Sequence, residues 1–297
     1  MNSSSTRSWL PAYLGVGLAW GCSFLFIKLS LGFLAPFGVA FFRCSLGALT
    51  LITILRASKN RFPRGVVVWA HLWVTALLMN VIPGILFAIA ETRTTSILAG
   101  IINALTPLTA LFFIVVVFRD EPTSSRELWG LGLGLVGVVV TLGVWRGFGT
   151  NPWWAVGALL LSVTLYGVAF PYTRRHLSPR GIAPVSLASA QLLLASITLL
   201  PFVIVDGTNG HAISVKAVFG ILALGVFGSG LAFMWNFHVI AMAGSSLAST
   251  VTYITPVVAV IVGIVFLNES LTWFEPVGGL IVLLGAAIGQ GRFAKRP

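Results

Sequence analysis

The chain has 297 residues, of which 57% are hydrophobic and only 8% are charged. A soluble globular protein carries about 25% charged residues, so this composition excludes that class and favours an integral membrane protein. The formal net charge is +11, which in a soluble domain would suggest nucleic-acid binding. Here most basic residues lie between apolar runs, so we expect them to orient the chain in a membrane and predict no nucleic-acid partner.

Ten apolar runs of roughly 20 residues follow one another, each long enough as a helix to cross about 30 Å of hydrocarbon. The loops between them are short, so we predict an all-α integral membrane protein of ten transmembrane helices. The first run continues to about Ile27 without a convincing cleavage site, which predicts a retained span and not a signal peptide. The predicted spans are 11–30, 36–56, 66–90, 95–118, 127–146, 153–174, 183–204, 215–239, 246–267 and 274–292.

Basic residues are concentrated in the loops on one side of the predicted bundle. The other side holds only Lys28, Arg93, Arg146 and Lys216. Because Lys and Arg are enriched in cytoplasmic loops, we predict that both termini are cytoplasmic. The basic residues on the predicted cytoplasmic side are Arg7, Arg56, Lys59, Arg61, Arg64, Arg119, Arg126, Arg174, Arg175, Arg180, Arg292, Lys295 and Arg296.

The sequence is duplicated. The stretch 99–121 recurs at 248–270, with Thr106-Pro107 matching Thr255-Pro256 at an offset of 149 residues. We therefore predict two repeats, 1–148 and 149–297. Because each repeat has five spans, the second enters the membrane from the opposite side, and the repeats have inverted topology. Further matched pairs are Trp20 with Tyr166, Phe24 with Phe170, Pro36 with Pro184, and Asn80 with Ser229.

Proline interrupts the predicted fourth and ninth spans at matched positions. Pro107 frees the carbonyl group of Asn103, and Pro256 frees that of Thr252. In lipid, a freed carbonyl is tolerated only where protein or a wet cavity satisfies it. One interpretation is that both prolines only kink packed helices. The other is that they mark the central site of a transporter, where interrupted spans occur in pairs.

Polar and aromatic residues share helix faces inside the predicted bundle. Asn80, Gly84, Phe87 and Glu91 follow a helical spacing in the third span. Such faces either form hydrogen bonds between helices or line a cavity. The matched aromatic residues either pack between helices or surround an amphipathic pocket that suits a small, partly apolar solute. Residues that extend these two sets are Ser229, Ala232, Asn236, Trp235, Phe237 and Tyr253.

Charged residues within the spans are scarce. Arg43 either binds a substrate carboxylate or pairs with backbone carbonyls and holds helices together. We favour the second role, because its counterpart in the other repeat is only Gln191. No span has a carboxylate at mid-membrane, so obligatory proton antiport is not predicted. Residues near enough to span ends to reach water are Lys28, Glu91, His71 and His238.

The remaining signals are structural or negative. Gly130-x-x-x-Gly134 and Gly285-x-x-x-Gly289 predict close helix contact outside the transport path, within the chain or in a dimer. Cys22 and Cys44 lie in apolar runs and are predicted to be small buried hydrophobic residues. The chain has no Walker, His-Glu-x-x-His or Cys-x-x-Cys motif. We therefore predict no enzyme activity, metal, cofactor or ATPase subunit.

These residues resemble a known family. The run Leu14–Lys28, followed by Pro36 and Arg43, is similar to the start of an EamA-type half in the drug/metabolite transporter superfamily. The matches continue at Thr106-Pro107, Gly228-Ser-Gly-Leu-Ala-Phe, Thr255-Pro256 and Leu267-Asn268-Glu269. Arg119-Asp120-Glu121 is displaced from the family's single Glu, and Glu91 replaces a usually apolar residue. The resemblance implies ten spans, inverted repeats, a central cavity and small-metabolite transport, and is strongest to aromatic amino acid exporters.

The predicted function is secondary transport that exports amino acids, with aromatic or large apolar ones favoured, across a bacterial-type inner membrane. A drug or nucleotide-sugar carrier of the same superfamily, and a membrane-embedded enzyme or lipid-handling protein, are the alternatives. Arg43, Gly84, Pro107 and Pro256 are predicted to act in gating or structure. The predicted substrate-binding residues are Trp20, Phe24, Asn80, Phe87, Asn103, Thr106, Tyr166, Phe170, Trp235, Asn236, Thr252 and Tyr253.

Overall fold

The computed structural model of the chain describes residues 9–118, 125–141, 143, 145 and 151–289. These residues form helices and no β-strand, apart from an isolated bridge between Leu34 and Thr208. The fold class predicted from the sequence is thus confirmed as all-α. The helices are α1 (Leu10–Ser30), α2 (Pro36–Ala57), α3 (Val66–Glu91), α4 (Ser96–Phe118), α5 (Ser125–Thr141), α6 (Trp153–His176), α7 (Pro184–Asp206), α8 (Val215–Ala243), α9 (Ser245–Leu267) and α10 (Phe274–Gly289).

In the described part of the chain, eight helices are long and apolar enough to cross a membrane. The other two, α5 and α10, have 17 and 16 residues. Their positions agree with the predicted fifth and tenth spans, although a count of ten membrane crossings stays a prediction. The predicted Arg119-Asp120-Glu121 segment, Arg7, Arg146 and residues 290–297 lie outside the described residues.

The outer surface of this helix bundle is apolar. Val66, Val205 and Val215 are each at least 85% exposed, and many other large apolar side chains are exposed around the bundle. A soluble monomer rarely exposes apolar patches this extensive. The surface is therefore suited to contact with lipid.

Local sequence explains how the helices begin. Pro36 opens α2 and Pro184 opens α7, where a proline costs no helical hydrogen bond because the first N–H groups have no partner in the helix. Thr95 and Ser214 accept hydrogen bonds from the backbone N–H groups of Leu98 and Ala217. These caps fix the starts of α4 and α8.

Four helices depart from regular α geometry. The helix α4 is broken at residues 104–105, just before Pro107, and α9 contains a 3₁₀ segment at Thr250–Tyr253, just before Pro256. The helices α3 and α8 contain π-helical stretches at Leu77–Val81 and Leu224–Leu231. A π-helical stretch places extra residues in a turn and so changes which side chains face a neighbour.

Two apolar clusters fill the bundle, one above the other. The first includes Tyr13, Leu72 and Ile240 and lies toward one end of the helices. The second includes Ile27, Leu98 and Leu159 and lies toward the other end. Tyr166 packs against both clusters and so marks the level at which they meet.

The helices α5 and α10 pack against each other through glycines. A Cβ atom built on Gly285 would lie 2.6 Å from the backbone nitrogen of Gly134 and 2.7 Å from the carbonyl oxygen of Gly130. The predicted close contact at these glycines is therefore confirmed, and it is made within the chain. The same pair of helices is in backbone contact at Gly278 and Thr141.

We predict that Gly278→Ala destabilises the protein. The new Cβ would lie 2.3 Å from the backbone nitrogen of Thr141, so the helices must separate. Such overpacking costs about 1–3 kcal/mol. Thermal denaturation of the purified protein in detergent measures the change.

Gly132→Ala is the matched control, because a Cβ at Gly132 meets no atom within 4 Å. It should leave the melting temperature unchanged or slightly higher, since Ala favours helix over Gly. An equal loss of stability in both variants would show that the contact at Gly278 is not the cause.

Candidate functional site

A central cavity lies where the two apolar clusters meet. Its volume is about 30 Å³. In this conformation the side chains therefore close tightly around the space. The cavity is lined by Trp20, Ser23, Phe24, Ile27, Arg43, Met79, Phe87, Asn103, Tyr166, Phe170, Phe233 and Thr252.

Aromatic rings form most of the cavity wall. Phe87 lies 5.6 Å from Phe24 and 6.0 Å from Tyr166, measured between ring centroids. On the other side, Trp20 and Phe233 meet edge to face at 5.6 Å. Such rings offer a large apolar contact area, while the Trp and Tyr side chains add polar atoms.

Arg43 is the charged member of this lining. It comes from α2 and is only 6% exposed, and its Nε atom donates a hydrogen bond to the Ser229 hydroxyl oxygen at 3.0 Å. No acidic side chain is among the described residues that line the cavity. The cavity therefore combines an apolar wall with one positive charge, an arrangement that attracts a carboxylate group.

A second hydrogen bond repeats the geometry of the first at the matching positions. Gln191 on α7 donates from Nε2 to the amide oxygen of Asn80 on α3. Gln191 is the sequence counterpart of Arg43, and Asn80 is the counterpart of Ser229. Each acceptor lies in a π-helical stretch. The two bonds connect the second helix of each sequence half to the third helix of the other half.

The two helix breaks are also joined to each other. The Thr255 hydroxyl donates to the carbonyl oxygen of Thr252 at 2.8 Å, which satisfies the carbonyl that Pro256 frees. The Asn103 amide nitrogen donates to the Thr255 hydroxyl oxygen at 3.2 Å. Since Asn103 and Thr252 both line the cavity, this link carries polar groups into an apolar space.

The structure brings many predicted site residues together. Of the predicted binding residues, seven line the cavity, namely Trp20, Phe24, Phe87, Asn103, Tyr166, Phe170 and Thr252. Arg43 also lines it. Gly84 does not line it and faces α2, where a Cβ atom on Gly84 would lie 3.8 Å from the Ala40 Cβ, an ordinary contact distance.

Five predicted binding residues are not part of the cavity lining, namely Asn80, Thr106, Trp235, Asn236 and Tyr253. Asn80 is paired with Gln191, and the Thr106 hydroxyl donates to the Asn103 amide oxygen. Trp235 lies against Gly15 of α1. The Asn80 and Trp235 contacts join different helices, while the Thr106 bond lies within α4, across its break.

Four lining residues were not predicted. Ser23 and Ile27 lie three and seven residues after Trp20, so helical spacing along α1 could have identified them. Met79 and Phe233 lie within or directly after the π-helical stretches. Regular helical spacing does not predict which way these two residues face.

A second hollow opens at one end of the bundle and contains Lys28, Glu91, Asp206, Asn209 and His211 in its lining. Its volume is about 570 Å³. We call it the Glu91 hollow. It is larger and more open than the central cavity, and its lining also includes Leu31, Leu34 and Pro36.

The prediction that Glu91 reaches water at its helix end is wrong. Glu91 is 0% exposed, because α3 packs closely against α6 and α2. Lys28 donates hydrogen bonds to the carbonyl oxygens of Glu91 and Thr94, each at 2.6 Å. The lysine thus caps the end of α3.

Titratable groups elsewhere in the described residues do not form a metal centre. No group of three or more His, Cys, Asp or Glu side chains is close enough there to hold a metal ion. Cys22 and Cys44 are free thiols. Cys44 is buried as predicted, whereas the prediction is wrong for Cys22, which is only half-buried. At the opposite end from Glu91, His71 forms a 2.7 Å hydrogen bond with Tyr172 and stacks on His176.

Comparison with known proteins gives a consistent result. The sequence model described as "EamA-like transporter family" matches residues 7–143 and again residues 153–288. An uncharacterized transporter of Archaeoglobus fulgidus is 24% identical, over 95% of this chain and 98% of the relative. The uncharacterized inner membrane transporter YedA of Escherichia coli K12 is also 24% identical, over 97% of this chain and 93% of the relative. A solved crystal structure shares the fold with a TM-score of 0.72 at 19% identity, covering 97% of this chain and 96% of the other.

We predict that Thr255→Val lowers the free energy of unfolding by about 1–3 kcal/mol. Valine keeps the shape of threonine but leaves the Thr252 carbonyl and the Asn103 amide without their buried partner. Thermal denaturation in detergent checks this.

Thr53→Val is the control for Thr255→Val. The Thr53 hydroxyl is exposed and bonds only within its own helix, to the Leu49 carbonyl. It should change stability by less than about 0.5 kcal/mol, as is usual for surface substitutions. If Thr255→Val were equally harmless, the link between the two helix breaks would not stabilise the fold.

Proposed function

This chain belongs to the EamA-like transporter family, and on that premise we propose that it exports aromatic or large apolar amino acids and related small metabolites around its central cavity. Family membership makes it a multi-pass membrane transporter of the drug/metabolite transporter superfamily, which is consistent with a protein that is not an enzyme. The observation that carries the choice of substrate is the cavity itself, which combines several aromatic rings with one guanidinium group.

We propose the architecture of two five-span repeats, 1–148 and 149–297, related by inverted topology, with ten spans in all. Two observations support it. The family sequence model matches the chain twice in succession. The hydrogen bonds from Arg43 to Ser229 and from Gln191 to Asn80 join matching positions in the two halves.

The proposed orientation follows from the basic loops. With both termini cytoplasmic, the Glu91 hollow faces the outside, and the end that contains His71 faces the cytoplasm. The comparison with an E. coli inner membrane transporter supports an inner-membrane location. Export then moves the substrate from the His71 end, through the central cavity, to the Glu91 hollow.

Arg43 is proposed to bind the substrate carboxylate. The sequence favoured a structural role for it, but its place in the cavity wall supports a second role beside the hydrogen bond to Ser229. Its Nε atom makes that bond, and the guanidinium has two further nitrogens that can face a carboxylate. The Asn103 amide oxygen and the Thr252 hydroxyl provide acceptors for a substrate ammonium group.

Alternating access is supported by the small size of the cavity. Because the cavity volume is only about 30 Å³, an amino acid fits only after neighbouring side chains move apart. The breaks before Pro107 and Pro256 lie beside the cavity and are the points where α4 and α9 can bend. The side chains of one apolar cluster move apart on the cytoplasmic side, and those of the other cluster then move apart on the outer side.

The alternative of a nucleotide-sugar carrier is disfavoured by the charge of the cavity. Two phosphate groups need several cationic partners, and Arg43 is the one cationic side chain among the described lining residues. A drug carrier remains distinguishable by its substrate, because a drug cation would not need Arg43.

The function is tested by uptake of radiolabelled amino acids into proteoliposomes of purified protein, with and without a pH gradient. We expect saturable uptake of phenylalanine, tryptophan or leucine. Absence of uptake of every amino acid by demonstrably folded protein would reject the proposal.

We predict that Trp20→Ala and Tyr166→Ala each raise the KM for aromatic amino acids about tenfold or more. Burial of one aromatic ring against substrate is worth about 1.5–3 kcal/mol, and 1.4 kcal/mol corresponds to tenfold in affinity. Trp129→Ala is the control, since Trp129 is 77% exposed on α5. Normal uptake by both cavity variants would show that the cavity is not the binding site.

We predict that Arg43→Gln selectively weakens carboxylate ligands. The concentration of unlabelled phenylalanine that halves uptake of labelled phenylalanine should rise about tenfold or more. The corresponding concentration of phenylalaninamide, which lacks the carboxylate, should change little. Ser229→Ala removes the hydrogen bond but keeps the guanidinium, so it should retain the preference for a carboxylate. Equal losses for both ligands would indicate that Arg43 acts only in structure.

A further inference from the structure

The Glu91 carboxyl group has no hydrogen-bond partner although it is fully buried. Both of its oxygen atoms are unpaired, and the residue is 0% exposed. Two other buried or half-buried carboxylates, those of Glu269 and Glu275, have several hydrogen-bond donors around them. Glu269 accepts from the N–H groups of Ser96 and Ile97 and from the Ser96 hydroxyl, and Glu275 accepts from the N–H and hydroxyl of Thr272.

No hydrogen bond offsets the burial of this carboxyl group in this conformation. A buried polar group without a partner costs free energy, and an ionised carboxylate costs more. Charges from neighbouring elements act on it, namely Lys28 from α1, Arg43 from α2 and Glu269 from the segment after α9. However, the Lys28 ammonium donates to two backbone carbonyls, and Arg43 donates to Ser229. A ligand that supplies hydrogen-bond donors would complete the site.

The position of Glu91 connects the two open spaces of the molecule. On α3, Phe87 lines the central cavity, and Glu91, one turn later, lines the Glu91 hollow. On α1, Ile27 lines the cavity and the next residue, Lys28, lines the hollow. Glu91 therefore lies between the central cavity and the Glu91 hollow, on the side toward which the proposed export runs.

The charges in this region favour a cation as the missing ligand. Three carboxylates lie in this region, those of Glu91, Glu269 and, at the rim of the hollow, the exposed Asp206. Two cations, Lys28 and Arg43, act on Glu91, but their hydrogen bonds go to other acceptors. The central cavity has the opposite sign, because Arg43 is its charged residue. The two regions together match a zwitterion, with its carboxylate toward Arg43 and its ammonium toward Glu91.

We propose that Glu91 forms an exit-side subsite that accepts the ammonium group of the amino acid substrate as it leaves the central cavity. The subsite makes the transporter selective for solutes with a free amino group. Binding is by charge-assisted hydrogen bonds from the ammonium to the carboxylate, with no covalent step. The inference rests on the proposed function, because it assumes that an amino acid passes this way.

The test compares phenylalanine with N-acetylphenylalanine, which keeps the carboxylate and the ring but lacks the ammonium. Each is used unlabelled to inhibit uptake of labelled phenylalanine into proteoliposomes. In the wild type, the concentration of N-acetylphenylalanine that halves uptake should be about tenfold or more above that of phenylalanine. In Glu91→Gln the ratio of these two concentrations should fall toward one, and in Glu91→Asp it should be partly retained. The ratio does not depend on the fraction of active protein.

Glu275→Gln is the control, because Glu275 is a buried carboxylate on α10, away from both open spaces. It should keep the wild-type ratio. The assay is also run with sodium replaced by potassium, and the ratio should not change. A ratio that depends on sodium would assign Glu91 to a metal cation and overturn the proposal.

Stability gives a second readout. Glu91→Gln removes a buried charge without changing the shape of the side chain, so the melting temperature should stay the same or rise. A clear fall would assign Glu91 to structural pairing with Lys28 and count against the subsite. If the wild type does not take up phenylalanine, the proposed function fails. If it does, and the ratio is near one in the wild type or unchanged in Glu91→Gln, only the subsite fails.

Discussion

The structure depends on one constraint, which is that every backbone carbonyl freed inside an apolar bundle needs a partner. Pro256 frees the carbonyl of Thr252, and the Thr255 hydroxyl satisfies it. The same hydroxyl accepts a hydrogen bond from Asn103, beside the break in α4. The two interrupted helices therefore meet through their polar groups in the middle of the bundle. This link places polar atoms where the two apolar clusters would otherwise close without a gap.

Directional contacts between the halves are polar, while the two apolar clusters supply contacts of lower specificity. Arg43 bonds to Ser229 and Gln191 bonds to Asn80, while Glu269 caps the start of α4. In lipid the apolar surfaces of helices gain little from association alone, so such bonds help to fix which helices are neighbours.

In the proposed function, the chemistry rests on departures from the duplicated pattern. Arg43 and Gln191 occupy matching positions, yet only Arg43 brings a charge to the cavity. Glu91 has no acidic counterpart at the matching position, which is occupied by Ile240. A cavity lined by the same residues from both halves would bind a solute equally well in two opposite orientations. Arg43 and Glu91, neither of which has a charged counterpart in the second half, give the proposed pathway a polarity that suits a zwitterion.

The sequence by itself determined the class of protein, the helix limits to within a few residues and much of the cavity wall. Apolar length decides where a membrane helix lies, and the duplication identified Trp20 with Tyr166 and Phe24 with Phe170. Only the tertiary structure decided which neighbours the residues in and after the π-helical stretches face. Phe233 lines the cavity, and the predicted Trp235 lies against Gly15 of α1, because Leu224–Leu231 does not keep the regular helical period. Likewise, only the packing of α3 against α2 and α6 decided that Glu91 is buried, since a position near a helix end does not reveal what covers it.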